Sequence, residues 1–207
     1  MSVESLAGRA NQKLRTRNAI VQAAAELSST GGDLTMPEVA KAALVSEATA
    51  YRYFPDLASL LKEAIAGQLP DAAQALAPVA GSTDPVARVA AATGFLLRHV
   101  LSRQGVVRAL IAATITRPGE ASARPGLRFG LIDSALAPLA DTPGAITPAA
   151  LAQLKRDLAV VVSAEALFSL TDLHGLDPDE AIASIVHTAT TLTRAALPDA
   201  AGGEAVP

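Results

Sequence analysis

The chain has 207 residues, 50% of them hydrophobic but only 3% aromatic, with a net charge of −3 and no cysteine. That length suits one sizeable domain or two small ones, and the lack of cysteine excludes a disulfide framework and thiolate chemistry. The N-terminus has no apolar h-region, and no uncharged apolar stretch approaches the roughly 18 residues of a membrane helix. Neither a signal peptide nor a membrane span is therefore expected, and a reducing cytoplasm fits. Alanine and leucine, both strong helix formers, dominate the apolar share, while β-branched runs are rare apart from Val160-Val161-Val162. An all-α fold of about nine helices follows.

The first helix is expected from about residue 14 to 29, with Ile20, Ala24 and Leu27 as one buried stripe. Gly31-Gly32 just past its last turn is a usual stop. Residues 1–70 hold seven basic side chains (Arg9, Lys13, Arg15, Arg17, Lys41, Arg52, Lys62) against seven acidic ones. Four of those basics form a cluster from Arg9 to Arg17 at the entry to this helix, a candidate phosphate clamp.

Two short helices come next. Thr35 is a good N-cap, Pro37 falls in the first turn, and Glu38 completes a capping box. Met36, Val39 and Ala40 give this helix a small apolar face, and Ala42-Ala43-Leu44-Val45 makes the turn. Ser46 caps a second helix, Glu47–Tyr53, carrying Thr49, Tyr51, Arg52 and Tyr53; Pro55 and Asp56 stop it and cap the next. A short helix, a tight turn and a helix rich in hydroxyls with one arginine form a helix-turn-helix DNA reader.

The run Val45-Ser46-Glu47-Ala48-Thr49-Ala50-Tyr51-Arg52-Tyr53-Phe54-Pro55-Asp56, followed by Leu60-Leu61, resembles the recognition segment of the TetR family of transcriptional repressors. Leu44 stands where that pattern has its turn glycine, and Leu57 where it has a lysine. The resemblance implies phosphate contacts from Thr35, Ser46, Thr49 and Tyr51. Base contacts fall to Glu47, Ala48 and Arg52, with Arg52 chemically suited to guanine, Glu47 to cytosine and Ala48 to a thymine methyl. Tyr53, Arg15 and Arg17 complete the candidate interface, although Tyr53 can equally be a packing residue; Phe54 is core.

Behind the reader, Leu57, Leu60, Leu61 and Ile65 mark a fourth helix reaching about residue 69. The stretch after Pro70 reads as a loop with Pro78, closed by Gly81-Ser82-Thr83-Asp84-Pro85. Helices are then expected over 86–102, 106–115 and 127–139, with two Arg-Pro-Gly copies between the last two. Thr147 with Pro148 caps a helix running to about residue 173, and Asp177 with Pro178 caps one running to about 197. The expected domains are residues 1–55, the helix-turn-helix module with its basic arm; 56–198, a helical domain; and 199–207, a disordered tail.

By resemblance the second domain binds an apolar small-molecule effector and forms a homodimer through its last helices. The available lining for a pocket is Phe95, His99, Leu110, Thr114, Phe129, Val162, Ala166, Leu167 and Leu170. The available dimer surface is Val161, Ala164, Glu165, Phe168, Ile185, Thr188, Ala189 and Leu192. His99, His174 and His187 lack metal-ligand spacing, and no nucleophile-elbow, P-loop or dinucleotide motif is present. No catalytic residue, metal or cofactor is expected. The reading is thus a homodimeric transcriptional regulator on double-stranded operator DNA, expected to be a repressor released by a small apolar ligand; the alternative, drawn from Leu44, Leu57 and the even charge balance, is a dimeric ligand-binding or scaffold protein that has lost specific DNA binding.

Overall fold

The computed structural model describes residues 3–29, 34–66, 71–116 and 126–198, and all their regular elements are helices. The helix stop expected at Gly31-Gly32, the stretch with the two Arg-Pro-Gly copies up to residue 125 and the disordered tail expected over 199–207 lie outside these residues. Eleven α-helices follow in order: α1 Val3–Ser29, α2 Met36–Ala42, α3 Glu47–Tyr53, α4 Leu57–Ala66, α5 Ala72–Leu76, α6 Pro85–Ser102, α7 Gln104–Thr116, α8 Leu127–Asp141, α9 Pro148–Val161, α10 Ala164–Phe168 and α11 Pro178–Ala196. No helix among the described residues is long and apolar enough to cross a membrane.

The chain divides into two compact units, Met1–Leu69 with Ser102–Pro125, and Pro70–Leu101 with Gly126–Pro207. In the first, α1 packs on α2, α4 and α7, and α2 packs on α3. Ile20, Ala24, Val39, Ala50, Phe54, Leu60, Leu61, Val106 and Leu110 fill its core. The three-helix reader expected over 1–55 thus shares one core with α4 and α7. Leu57, where the family pattern has lysine, is half-buried against that core. Each of the fully buried leucines contributes about 1.5–3 kcal/mol of transfer free energy, more than a seven-residue helix could supply alone.

In the second unit α9 packs on α8 and α11, α10 on α11, and α5 on α8. Arg88 on α6 donates to the carbonyls of Ser134 and Ala135 on α8 at 2.8 and 3.0 Å. Ion pairs Lys155–Asp133 (2.7 Å) and Arg128–Glu165 (3.4 Å) add surface ties between α9 and α8 and between α8 and α10.

Three elements depart from the sequence expectation. The first helix begins eleven residues earlier than residue 14, at Val3, because nothing in 3–13 breaks a helix except Gly8; the basic cluster is therefore helical rather than an arm. The stretch after residue 70 is not a plain loop: Asp71 caps α5 through the Ala73 N–H, and a 3₁₀ turn over 77–79 follows. The long helix expected over 148–173 breaks at Val162, whose φ −81° and ψ 68° close an inverse γ-turn, Ser163 N–H to Val161 C=O at 2.9 Å. The β-branched Val160-Val161-Val162 run weakens the helix there, and Ser163 immediately restarts it as an N-cap, accepting from Ala166 N–H at 3.1 Å. α10 then widens into a π-turn over 169–173.

Candidate nucleic-acid interface

The reader is assembled by caps. Thr35 accepts from Glu38 N–H at 3.4 Å, while its own N–H donates to the Glu38 carboxylate at 3.1 Å, the reciprocal pair of a capping box. The Thr35 hydroxyl also donates to that carboxylate at 2.9 Å. Ser46 caps α3 by accepting from Thr49 N–H at 3.2 Å, and the two hydroxyls lie 2.9 Å apart. Both hydroxyl groups are thus held at the start of α3, where backbone N–H groups and the helix dipole favour an anion.

The turn closes as a Schellman motif: Val45 N–H reaches Ala40 C=O at 2.9 Å and Leu44 N–H reaches Lys41 C=O at 3.2 Å. That motif needs a left-handed residue after the C-cap, and Leu44 takes it with φ 56° while standing 92% exposed. It is the one non-glycine residue with positive φ among the described residues. The side chain gains no burial in return, so the turn carries uncompensated strain. Leu44→Gly is expected to stabilise the first unit by about 1 kcal/mol, the left-handed cost of an L-residue less the entropy of glycine. A urea midpoint followed by tyrosine fluorescence checks this; an unchanged or lower midpoint would show that the turn is not strained.

On α3, Glu47, Ala48, Tyr51 and Arg52 are all exposed and share one face, spanning about 140° at 100° per residue. Ala50 is buried, Thr49 and Tyr53 are half-buried, and Phe54 closes the core. Four expected contact residues therefore stand together on the outward face, Thr35 and Ser46 are exposed at the two helix starts, and Thr49 and Tyr53 flank the core side. Tyr53 packs against the core cluster, and the Arg52 guanidinium carbon lies 5.8 Å from its ring centroid. Arg15 is exposed on α1, as is Lys13. Arg17 is otherwise engaged, bonding both carboxylate oxygens of Glu63 and lying over the Phe54 ring at 5.0 Å. Lys41, exposed in the last turn of α2, is a cation next to the turn that the motif does not include. Its signal in the sequence is its place three residues before Leu44.

The expected pocket residues do not share one unit. Leu110 and Thr114 belong to the first; Leu110 is in its core, and the Thr114 hydroxyl bonds the Leu110 and Ile111 carbonyls at 2.9 and 3.0 Å. The other seven belong to the second, where Val162 and Leu167 are buried, Phe95, His99, Ala166 and Leu170 half-buried, and Phe129 is 51% exposed beneath the Arg128 guanidinium. Of the expected dimer residues, Phe168, Ile185 and Ala189 are buried within the second unit. Val161, Ala164, Glu165 and Leu192 are half-buried, and Thr188 is exposed. Their neighbour Val160 is 74% exposed. Among the described residues no group of three or more His, Asp or Glu could hold a metal ion.

A capped short helix, a tight turn and a second capped helix with an exposed polar face on a five-helix core define a helix-turn-helix module. Residues 20–64 match the sequence model of the family described as bacterial regulatory proteins, tetR family, so this segment is similar to the N-terminal part of those regulators. Three solved structures are similar in fold over most of this chain. A TetR transcriptional regulator from Rhodococcus sp. RHA1 is 23% identical, with 86% of this chain and 96% of that one covered and a TM-score of 0.55. NalD of Pseudomonas aeruginosa is 19% identical over 92% and 100%, TM-score 0.52. A TetR transcription regulator from Haloarcula marismortui ATCC 43049 is 17% identical over 91% and 100%, TM-score 0.55. A comparison with curated proteins finds no match.

Proposed function

We propose that the chain is a homodimeric transcriptional repressor that binds double-stranded operator DNA through α2 and α3, in the cytoplasm, and is released by an apolar small molecule. The observation that carries the DNA-binding part is the outward face of Glu47, Ala48, Tyr51 and Arg52 on a capped helix whose opposite face completes the core. In this reading Ser46, Thr49, Tyr51 and Thr35 hold phosphates, Lys41 and Arg15 add charge beside them, and Arg52, Glu47 and Ala48 read bases. The repressor role is favoured by NalD, described as the secondary repressor of a multidrug efflux pump in Pseudomonas aeruginosa. The effector site belongs to the second unit, around Phe95, His99, Val162, Ala166, Leu167 and Leu170. Dimerisation uses α11 with the end of α9, where Ser184, His187, Thr188 and Thr191 form an exposed stripe of mostly small residues and Val160 an exposed apolar one. No catalytic step is assigned.

The test is selection of duplexes from a random-sequence library, followed by binding of the winner and of random duplex at two salt concentrations. Specific retention that falls steeply with salt supports the reading, and no selection at low salt overturns it. Arg52→Ala is expected to lose about 1–3 kcal/mol on the selected duplex and far less on random DNA. Equal losses on both would reduce Arg52 to a phosphate contact. Sedimentation at micromolar concentration should give a dimer; a monomer there rules out the proposed pairing.

A further inference from the structure

We propose that Arg17 is a positioning residue of the reader: it fixes the angle of α3 to α4 through Glu63 and Phe54 and makes no contact with phosphate. This rests on the DNA-binding reading above. Arg17 belongs to α1, Glu63 to α4, and Phe54 is the C-cap of α3. One guanidinium therefore joins three helices. Its two terminal nitrogens bond the two oxygens of Glu63, and its carbon lies over the Phe54 ring, 5.0 Å from the centroid. The fork holds the guanidinium to Glu63 at two points at once, and the ring face gives the same group a second partner, a pairing that a lysine point charge cannot reproduce.

Phe54 is the point at which α3 ends. Its N–H closes the last turn on the Ala50 carbonyl at 2.9 Å, and its ring is buried in the core. Holding that ring sets how α3 leaves the core, and hence where Glu47, Ala48, Tyr51 and Arg52 stand. A guanidinium whose terminal nitrogens already serve a carboxylate brings no net charge to a phosphate. Arg15 and Lys13, both exposed on the same helix, are the cations suited to that role.

The two roles predict opposite results for the acid. If Arg17 positions α3, Arg17→Ala and Glu63→Ala each weaken binding to the library-selected duplex by about tenfold, the double variant is no worse than either, and the salt dependence is unchanged. Arg17→Lys, which keeps the charge and is the milder change should the alanine variant unfold, fails to restore binding. If Arg17 held a phosphate, its loss would lower the salt slope by about one and weaken random duplex equally. Glu63→Ala, removing a negative charge, would then bind as tightly or tighter; that pattern overturns the proposal. Without DNA, hydrogen exchange at the Phe54 amide should quicken about tenfold in both alanine variants relative to the parent. Unchanged exchange there also overturns the proposal. Failure of the parent chain to select any duplex would instead refute the DNA-binding reading, with the exchange result still deciding what Arg17 holds.

Discussion

Replacing Phe54 by alanine is expected to destabilise the first unit by about 3–5 kcal/mol, the usual cost of deleting a buried aromatic side chain. Phe54 is 2% exposed and sits in a cluster drawn from α1, α2, α3, α4 and α7. The cavity would open at the C-terminal end of α3, and the Arg17 guanidinium would lose the ring it lies over. Phe54→Leu keeps most of the apolar volume and should cost about 1–2 kcal/mol, because it loses the ring face and some packing but leaves a smaller void. The chain has two tyrosines and no tryptophan, and both tyrosines, Tyr51 and Tyr53, are on α3. Tyrosine fluorescence against urea therefore reports unfolding of this unit. A loss below about 1 kcal/mol for the alanine variant would mean that the core collapses around the site, and that Phe54 does not hold α3 in place.

The contrast between these residues explains what a linear reading can see. The limits of α2 and α3 were legible because they are written in local chemistry: Thr35, Pro37, Glu38 and Ser46 act within three residues of themselves. The outward face of α3 was legible for the same reason, since periodicity assigns Ala50 and Phe54 inward and leaves Glu47, Ala48, Tyr51 and Arg52 outside. Arg17 was not, because its partner Glu63 is 46 residues away and nothing in the spacing pairs them. Residue type along the chain suggests a pocket lining but not which unit a residue joins, and Leu110 and Thr114 fall in the first unit while the other seven fall in the second. Apolarity marks Ile185 and Ala189 for a dimer surface, and the same property buries them within their own unit. The break at Val162 needed two weak local signals to be added together, a β-branched run and a serine N-cap, against a capped helix that otherwise had no stop before residue 173.

A second large effect is expected in the other unit, where Pro138 lies inside α8. Proline has no N–H, so the Ser134 carbonyl four residues earlier loses its helical donor, and a ring clash is expected to loosen the turn. Arg88 on α6 meets that defect: it donates to Ser134 C=O at 2.8 Å, to Ala135 C=O at 3.0 Å and to Ser82 C=O at 3.2 Å. A partly buried helix carbonyl without a donor costs about 1–3 kcal/mol, and bonds from a charged donor are worth about 1.5–3 kcal/mol each before screening by solvent. Arg88→Ala should accordingly destabilise the second unit by about 2–4 kcal/mol. Since that unit has no tyrosine, the measurement is urea unfolding by far-UV circular dichroism, with tyrosine fluorescence locating the first unit's transition separately. The mechanism makes a sharper demand on the double variant. In a Pro138→Ala background, residue 138 regains an N–H for Ser134, so Arg88→Ala should cost roughly 1 kcal/mol less than in the parent. Strictly additive losses would show that Arg88 acts through packing alone, and that the missing proline N–H has nothing to do with its place on α6.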